Sequence, residues 1–286
     1  MKRALVVDCN YICHVSFHAI PDMTYNNLYT GVIFGLLRRV IELSKRFEPH
    51  NIAFAWDSKI SERKRIYPGY KRGRVELAEK FTEEEKFQMQ QAYHQFDRLR
   101  DEILPNLGFS NIFSQDGYEA DDMIASVVNS NEEYTIVMIT SDKDMYQLIS
   151  DRCMFYNPTT KKLITKAKFE DEWGFPPCLF GKARSISGCR TDQTLCLDGV
   201  GEKTAAKYLM GKLNKNTVAY KKIEGNKEIT ECNEYVIILP MEGTMRCPLK
   251  KNSISRDKFV RVCNDIGFRS LLKEATIKKW EDVVKE

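Results

Sequence analysis

Ala4-Leu5-Val6-Val7-Asp8, Ile52-Ala53-Phe54-Ala55-Trp56-Asp57 and Thr135-Ile136-Val137-Met138-Ile139-Thr140-Ser141-Asp142 decide the fold. Each is a short, nearly continuous apolar run that ends at an aspartate. Such runs predict strands buried on both faces, as in a parallel sheet. Ligands of open α/β sheets bind beyond the carboxyl ends of the strands, so the three aspartates are expected at one rim. Carboxylates that close together raise each other's pKa unless cations hold them. Hard divalent cations, which prefer oxygen ligands, are the simplest ones to do so. The pattern points to metal-ion chemistry on phosphates.

Helices are expected between these runs. Leu28, Val32, Leu36, Val40 and Leu43 recur at helical spacing and predict a helix over 28–47. A basic segment, Arg63-Lys64-Arg65-Ile66-Tyr67-Pro68-Gly69-Tyr70-Lys71-Arg72-Gly73-Arg74, follows the second run. A polar helix is then expected from Thr82, with Glu85 placed for a capping box, to Leu104, stopped by Pro105. Gly117-Tyr118-Glu119-Ala120-Asp121-Asp122 opens a short helix before the third run. This β-α-β order predicts an α/β fold with a mainly parallel central sheet flanked by helices. Beyond about residue 165 the texture changes to helices and turns, and Gly199-Val200-Gly201 opens a helix through Thr204 and Leu209. Residues 211–233, rich in lysine and asparagine, read as a solvated loop or weak helix. The expected division is a core over 1–165, with an arch over about 63–104, and a smaller helical subdomain over 166–286.

The 286 residues are 43% hydrophobic and 29% charged, the balance of a globular chain rather than a disordered one. No apolar stretch reaches the roughly 18 residues of a membrane span, so no membrane association is expected. Met1-Lys2-Arg3 runs straight into the first strand, so no cleavable signal peptide is expected. Nine cysteines, an odd number without a close-spaced framework, read as reduced thiols of a cytoplasmic protein, in the host cytoplasm if the source is viral. Net charge is only +4. Setting aside the eight acids singled out below leaves 44 basic residues against 32 acidic ones, a surplus of +12. A basic surround with an acidic pocket suits a polyanionic substrate.

Glu119, Asp121 and Asp122 fall in one helical turn, and Asp142 and Asp144 straddle a turn. Acids favour helix N-termini and aspartate favours turns, so either group alone could be structural. Their coincidence with Asp8 and Asp57 favours a metal centre. Two ions about 4 Å apart that bridge attacking and leaving oxygens need about this many carboxylates, which makes phosphodiester hydrolysis the reading. Two other constellations carry less weight. Cys9, Cys13, His14 and His18 have the wrong spacing for a common zinc finger. Gly201-Glu202-Lys203-Thr204 only superficially resembles a P-loop, because Glu202 interrupts it and no strand precedes it.

The motifs also resemble those of the 5′-nuclease family, which includes bacterial DNA polymerase I 5′-exonuclease domains, phage 5′-exonucleases and flap endonucleases. Asp8 followed by Phe17-His18-Ala19-Ile20-Pro21, then Gly117 to Asp122, Ser141-Asp142-Lys143-Asp144-Met145-Tyr146-Gln147-Leu148 and Gly199-Val200-Gly201-Glu202-Lys203-Thr204-Ala205 match its signatures in order. Ile266-Gly267-Phe268-Arg269-Ser270-Leu271-Leu272 looks like its closing helix. The resemblance implies that Asp8, Asp57, Glu119 and Asp121 gather around one Mg²⁺, with Mn²⁺ as a substitute. Asp122, Asp142, Asp144 and Asp192 would lie around or just behind a second ion. Gly188-Cys189-Arg190-Thr191-Asp192-Gln193 stands where the family has Gly-Asp-x-x-Asp-Asn. Cys189 therefore replaces a carboxylate, and a thiol is a poor Mg²⁺ ligand, which weakens the second site. Val15 likewise stands where polymerase-linked relatives have arginine.

By the same resemblance, Tyr70-Lys71-x-x-Arg74 forms the base of a helical arch, with Lys71 and Arg74 as catalytic cations facing the scissile phosphate. Arg63 and Arg72 add DNA contacts, and Tyr67 and Tyr70 are interleaved as stacking surfaces. The glycine hairpin Gly199–Gly201, with Lys203, Thr204 and Lys207, would hold duplex DNA through backbone N–H groups and charge; K⁺ often accompanies it in relatives. The expected activity is that of a stand-alone 5′-3′ exonuclease and flap endonuclease of replication or repair. Its expected substrates are DNA with a 5′ flap, a nick or a 5′-ended duplex, with RNA–DNA hybrid as a further substrate and replication proteins as partners. A DNA-junction binder of weak catalytic power is the rival reading. A PIN-like ribonuclease would share the acidic rim but lack the C-terminal hairpin.

Overall fold

The computed structural model describes residues 1–285. Strand β1 (Lys2–Asp8) leads into helix α1 (Cys9–Ala19), a hairpin of β2 (Thr24–Tyr25) and β3 (Leu28–Tyr29), and helix α2 (Gly31–Phe47). Next come β4 (Asn51–Ala55), α3 (Glu62–Ile66), α4 (Arg72–Ala78), α5 (Glu83–Arg98) and α6 (Leu104–Leu107). β5 (Ile112–Phe113), α7 (Ala120–Ser130), β6 (Tyr134–Ile139), β7 (Cys153–Asn157) and β8 (Lys162–Ile164) complete the sheet. Then follow α8 (Lys166–Trp173), α9 (Phe180–Ser187), α10 (Glu202–Leu209), α11 (Val218–Glu224), α12 (Lys227–Ile237), α13 (Arg256–Asp265) and α14 (Glu274–Glu281).

The main sheet has the order β5-β4-β1-β6-β7-β8 and is parallel except for β8, which runs antiparallel to β7. Alternate residues of its central strands feed two separate cores. Leu5, Val7, Ile52, Phe54, Val137 and Ile139 pack with α1, α2, α13 and α14 on one face. Ala4, Val6, Ala53, Ala55, Ile136 and Met138 pack with α7, α8, α9 and α10 on the other. Burial on both faces explains why the strands read as unbroken apolar runs. From β1 the chain winds first towards β4 and later returns to β6 on the opposite side. β1 therefore lies at the point where the winding reverses, and a crevice opens there beyond its carboxyl end.

Several sequence expectations need correction. The helix expected from Leu28 begins at Gly31, because Asn26 and Asn27 adopt left-handed backbone angles (φ 50° and 61°) and close the β2–β3 hairpin. Asparagine is among the residues that tolerate such a turn. The capping box of Thr82 and Glu85 is present, but Pro105 does not end the helix. A π-helical turn over Leu99–Ile103 lets the chain continue into α6, with Pro105 in its first turn, where a missing N–H needs no partner. The stop is Gly108 at φ +95°, where a Cβ would meet the Ser253 carbonyl oxygen at 2.3 Å. Much of 211–233 is helical, in α11 and α12. The tail at 266–272 is a turn with a short 3-10 segment rather than a closing helix.

The division at 165 does not separate two cores. α8, α9 and α10 pack on one face of the sheet. Phe259, Val262, Phe268, Ile277 and Trp280, far along the chain, pack on the other face. A strap over 242–252 carries the chain between the faces. Ser126 Oγ donates to the Met245 carbonyl (2.5 Å), Asn131 Nδ2 to that of Cys247 (3.0 Å) and Asn111 Nδ2 to that of Lys250 (2.8 Å). Asn252 and Asn111 both donate to Asn51 Oδ1 (2.8 and 2.7 Å). These buried amides satisfy the strap's backbone where no sheet partner reaches it.

Candidate metal centre and nucleic-acid interface

Asp8 is the last residue of the central strand and caps α1, where its Oδ1 accepts from Tyr11 N at 3.0 Å. Its Oδ2 accepts from Thr140 Oγ1 at 2.8 Å. Asp57 lies two residues past β4, and its Oδ1 accepts from Ala120 N at 2.7 Å. Glu119 caps α7 and Asp121 lies in that helix's first turn. Asp142, just past β6, accepts from Asp144 N at 2.8 Å. Parallel register between β1, β4 and β6 brings these ends level, so the strand-end aspartates meet the α7 acids at one rim.

The electrostatics show how closely they meet. Burial, then Asp57 and Asp142, push Asp8 up to about 7. Burial, then Asp142 and Asp8, raise Asp121 well above the usual carboxylate range. Burial, then Glu119, raise Asp57; its solvent-facing side moderates that rise. One cation already stands at the rim. Lys71 Nζ donates to Glu119 Oε2 at 2.8 Å. Burial alone would depress this ammonium, but Glu119 and Asp121 hold it above its ordinary value. Among the described residues, no three His, Cys, Asp or Glu side chains stand together as a group that could hold a metal ion without moving. The group is open, all-oxygen and short of positive charge, and that donor set fits a hard divalent ion.

Asp122 does not belong to this rim. It is fully buried, and both its oxygens are taken by Arg63 at 2.5 and 2.8 Å. They also accept from Glu119 N (3.1 Å) and Met241 N (2.9 Å). It faces inward because the first turn of α7 points Asp121 and Asp122 in different directions. Arg63, expected on DNA, is correspondingly interior: 1% exposed, with Nε donating to the Val236 carbonyl at 2.9 Å. Nor is Tyr70 a stacking surface. It is buried and donates its hydroxyl to Glu119 Oε2 at 3.0 Å. Cys9 and Cys13 are core side chains, and His14 stands edge-on to Tyr93 and Phe96.

The remaining acids form a neighbouring group. Gly188, at φ +78°, opens the loop that carries Asp192; a Cβ there would meet the Leu195 carbonyl oxygen at 2.3 Å. Burial and Asp142 raise Asp144 to about 7, against the pull of Arg184, whose Nε is ion-paired with it. Arg184 also donates to Glu202 Oε1 at 3.1 Å and to Cys189 Sγ at 2.9 Å. Cys189 Sγ in turn donates to Asp192 Oδ2 at 3.2 Å. Sequence reading missed Arg184 and Thr140. Thr140 sits inside the run ending at Asp142, a position that could have pointed to it. Arg184 carries no local signal.

The basic residues divide by surroundings. Arg74 reaches Asp192 Oδ1 at 3.6 Å and lines a cavity of about 850 Å³ between Asp57, α4 and α5, with Lys59, Lys86, Tyr93 and Arg100. Arg72 is exposed and pairs with Glu76 at 3.0 Å. α9 and α10 pack together, with Gly201 as the α10 cap and Gly199 at φ +81° before it. A cavity of about 410 Å³ opens beside these glycines. Lys207 is exposed, and Thr204 is partly exposed on the first turn of α10. Lys203 is also exposed, but donates to the Glu172 carbonyl at 2.8 Å and lies over the Trp173 ring.

A family model described as 5′-3′ exonuclease, N-terminal resolvase-like domain, matches residues 3–174. Among curated proteins, DNA polymerase I of Mycobacterium leprae is 27% identical over 93% of this chain and 30% of its own length. The thermostable DNA polymerase I of Thermus aquaticus is 30% identical over 72% of this chain and 24% of its own length. The chain thus spans under a third of those polymerases. A 5′-3′ exonuclease of Aquifex aeolicus is 28% identical over 73% of this chain and 69% of its own length. Among solved structures, zinc-bound T5 5′-exonuclease superposes with a TM-score of 0.70 at 17% identity, covering 99% of this chain and 98% of that one. The T5 D15 flap endonuclease, in a complex with DNA and metal ions, gives 0.70 at 19% identity, with 99% of each chain covered. At those identities the likeness is one of fold. The family model spans more than half of the chain, and on that match the chain belongs to the 5′-3′ exonuclease family through its N-terminal resolvase-like domain.

Proposed function

We propose that this chain hydrolyses DNA phosphodiesters as a divalent-metal-dependent 5′-nuclease, removing 5′ flaps and 5′-terminal nucleotides in replication or repair. The observation that carries this reading is the carboxylate rim of Asp8, Asp57, Glu119, Asp121 and Asp142, with Lys71 at its edge. Bound at that rim, Mg²⁺, or Mn²⁺ in its place, would lower the pKa of the attacking water and offset charge on the phosphate. Thr140 and Tyr11 fix the orientation of Asp8, and Ala120 N that of Asp57. Lys71, buttressed by Glu119, offers positive charge to the phosphate where negative charge develops. Arg74 and the cavity beside it, with cations around Tyr93, suit a single strand, which binds through charge and stacking. Gly199, Gly201, Thr204, Lys203 and Lys207 would hold duplex without reading sequence, and the cavity beside the glycines has room for K⁺. RNA–DNA hybrid would meet the same charges.

Nine unbridged cysteines suit a reducing, cytoplasmic setting. Among the described residues no helix is long and apolar enough to cross a membrane.

Cleavage of end-labelled flap, nicked and blunt substrates in Mg²⁺ and in Mn²⁺ tests the proposal. Asp121→Asn should lower the single-turnover rate by orders of magnitude while DNA binding persists, and a wild-type rate in that variant would refute it. The ion pair of Arg184 with Asp144 favours a second reading, a junction binder that cuts weakly. Binding without cleavage in either metal would select it.

A further inference from the structure

The acids beyond the rim do not fit a second divalent ion. Each already has a partner supplied by the protein. Arg184 is only 14% exposed; its Nε pairs with Asp144, and its two terminal nitrogens reach Glu202 Oε1 at 3.1 Å and Cys189 Sγ at 2.9 Å. Asp192 accepts from the Cys189 thiol at 3.2 Å and faces Arg74 at 3.6 Å. A guanidinium is permanently charged and presents a fixed fork of donors, so it does not give way as an ammonium can. A doubly charged ion placed here would lie against that cation, with a neutral sulfur in place of an oxygen ligand.

We infer that Arg184 is the resident cation of the second acid group, so that the chain holds one divalent ion, at Asp8, Asp57, Glu119, Asp121 and Asp142. This rests on the proposed metal-dependent function. The arrangement follows from how Arg184 is held. It projects from α9 between the turn after β6, the Cys189 loop and the start of α10, so one side chain ties the glycine hairpin to the second acid group. It is a positioning residue that fixes Asp144 and the Cys189 loop. Cys189 belongs to the same device. A thiol accepts one N–H of the guanidinium without adding charge, whereas a carboxylate there would form a further ion pair with Arg184.

The test counts bound ions rather than turnover. Mn²⁺ is titrated into the DNA-free protein at neutral pH, and free Mn²⁺ is read by electron paramagnetic resonance, with circular dichroism to confirm folding. Wild type and Cys189→Asp should each bind one ion. In Cys189→Asp the new carboxylate pairs with Arg184, so the count stays at one. Arg184→Gln combined with Cys189→Asp should bind two. Two ions in the wild type would overturn the inference, whether or not any variant folds. A folded double variant that still binds one would overturn it as well, since Arg184 would not be what excludes the second ion. No ion in the wild type would overturn the metal-dependent function itself, an outcome distinct from the other two.

Discussion

Replacing Arg63 by alanine separates its two possible roles, because DNA contact and interior support predict opposite results. In the structure the guanidinium makes two hydrogen bonds to Asp122, at 2.5 and 2.8 Å, and one to the Val236 carbonyl at 2.9 Å. Both partners are essentially removed from water. Truncation leaves Asp122 charged and buried, with only the N–H groups of Glu119 and Met241 to hold it. Breaking a buried ion pair from one side costs about 3–5 kcal/mol. At roughly 2–4 °C per kcal/mol, the value for domains somewhat smaller than this chain, the melting temperature should fall by on the order of 10 °C. Arg63→Met with Asp122→Leu, which removes both charges, should recover much of that loss. Calorimetry of the metal-free proteins gives the stability. DNA affinity at two salt concentrations, at a temperature where the variant is folded, gives the slope. An unchanged melting temperature with a shallower salt slope would refute the interior role and return Arg63 to the DNA interface.

Other expectations follow from the same structure. Asp8 titrates near 7 when folded and near 3.8 in a free chain, so the folded state holds the extra proton between those values. The metal-free protein should therefore lose stability as pH rises from about 4 to 7, by on the order of a few kcal/mol; Mg²⁺ at pH 8 should restore it, and melting curves at pH 5 and pH 8 that do not differ would contradict this. Lys207→Ala should weaken duplex binding on all sequences alike and lower the salt slope by about one. Lys203→Ala should also lower the melting temperature slightly, because it loses the Glu172 contact, and titrations of both variants at two salt concentrations would check the difference. Thr140→Val should slow cleavage several-fold with unchanged DNA affinity, as Asp8 loses a fixed hydrogen bond; a wild-type single-turnover rate would show that Asp8 is oriented without it.

The sequence by itself determined the parallel sheet and the acids at its edge. Strands buried on both faces must be apolar throughout, so Ala4–Val7, Ile52–Trp56 and Thr135–Ile139 stand out without any partner, and the residue that ends each run is placed by the strand itself. Capping is equally local, which is why Thr82 with Glu85 and the start of α7 at Glu119 were legible. Tertiary structure decided what no window of sequence contains. Asp121 and Asp122 are adjacent acids on one turn, yet only the position of Arg63 and Met241 turns one inward and leaves the other at the rim. Arg63 and Arg74 look alike in a basic run; burial against α12 makes the first a support, whereas the second lines an open cavity. The 254–284 tail could not be assigned to its core from composition, because its partners, Phe34 and Phe109 among them, lie far back along the chain. Arg184 shows the same limit most plainly: its role depends on Asp144, Cys189 and Glu202, three residues that only folding brings together.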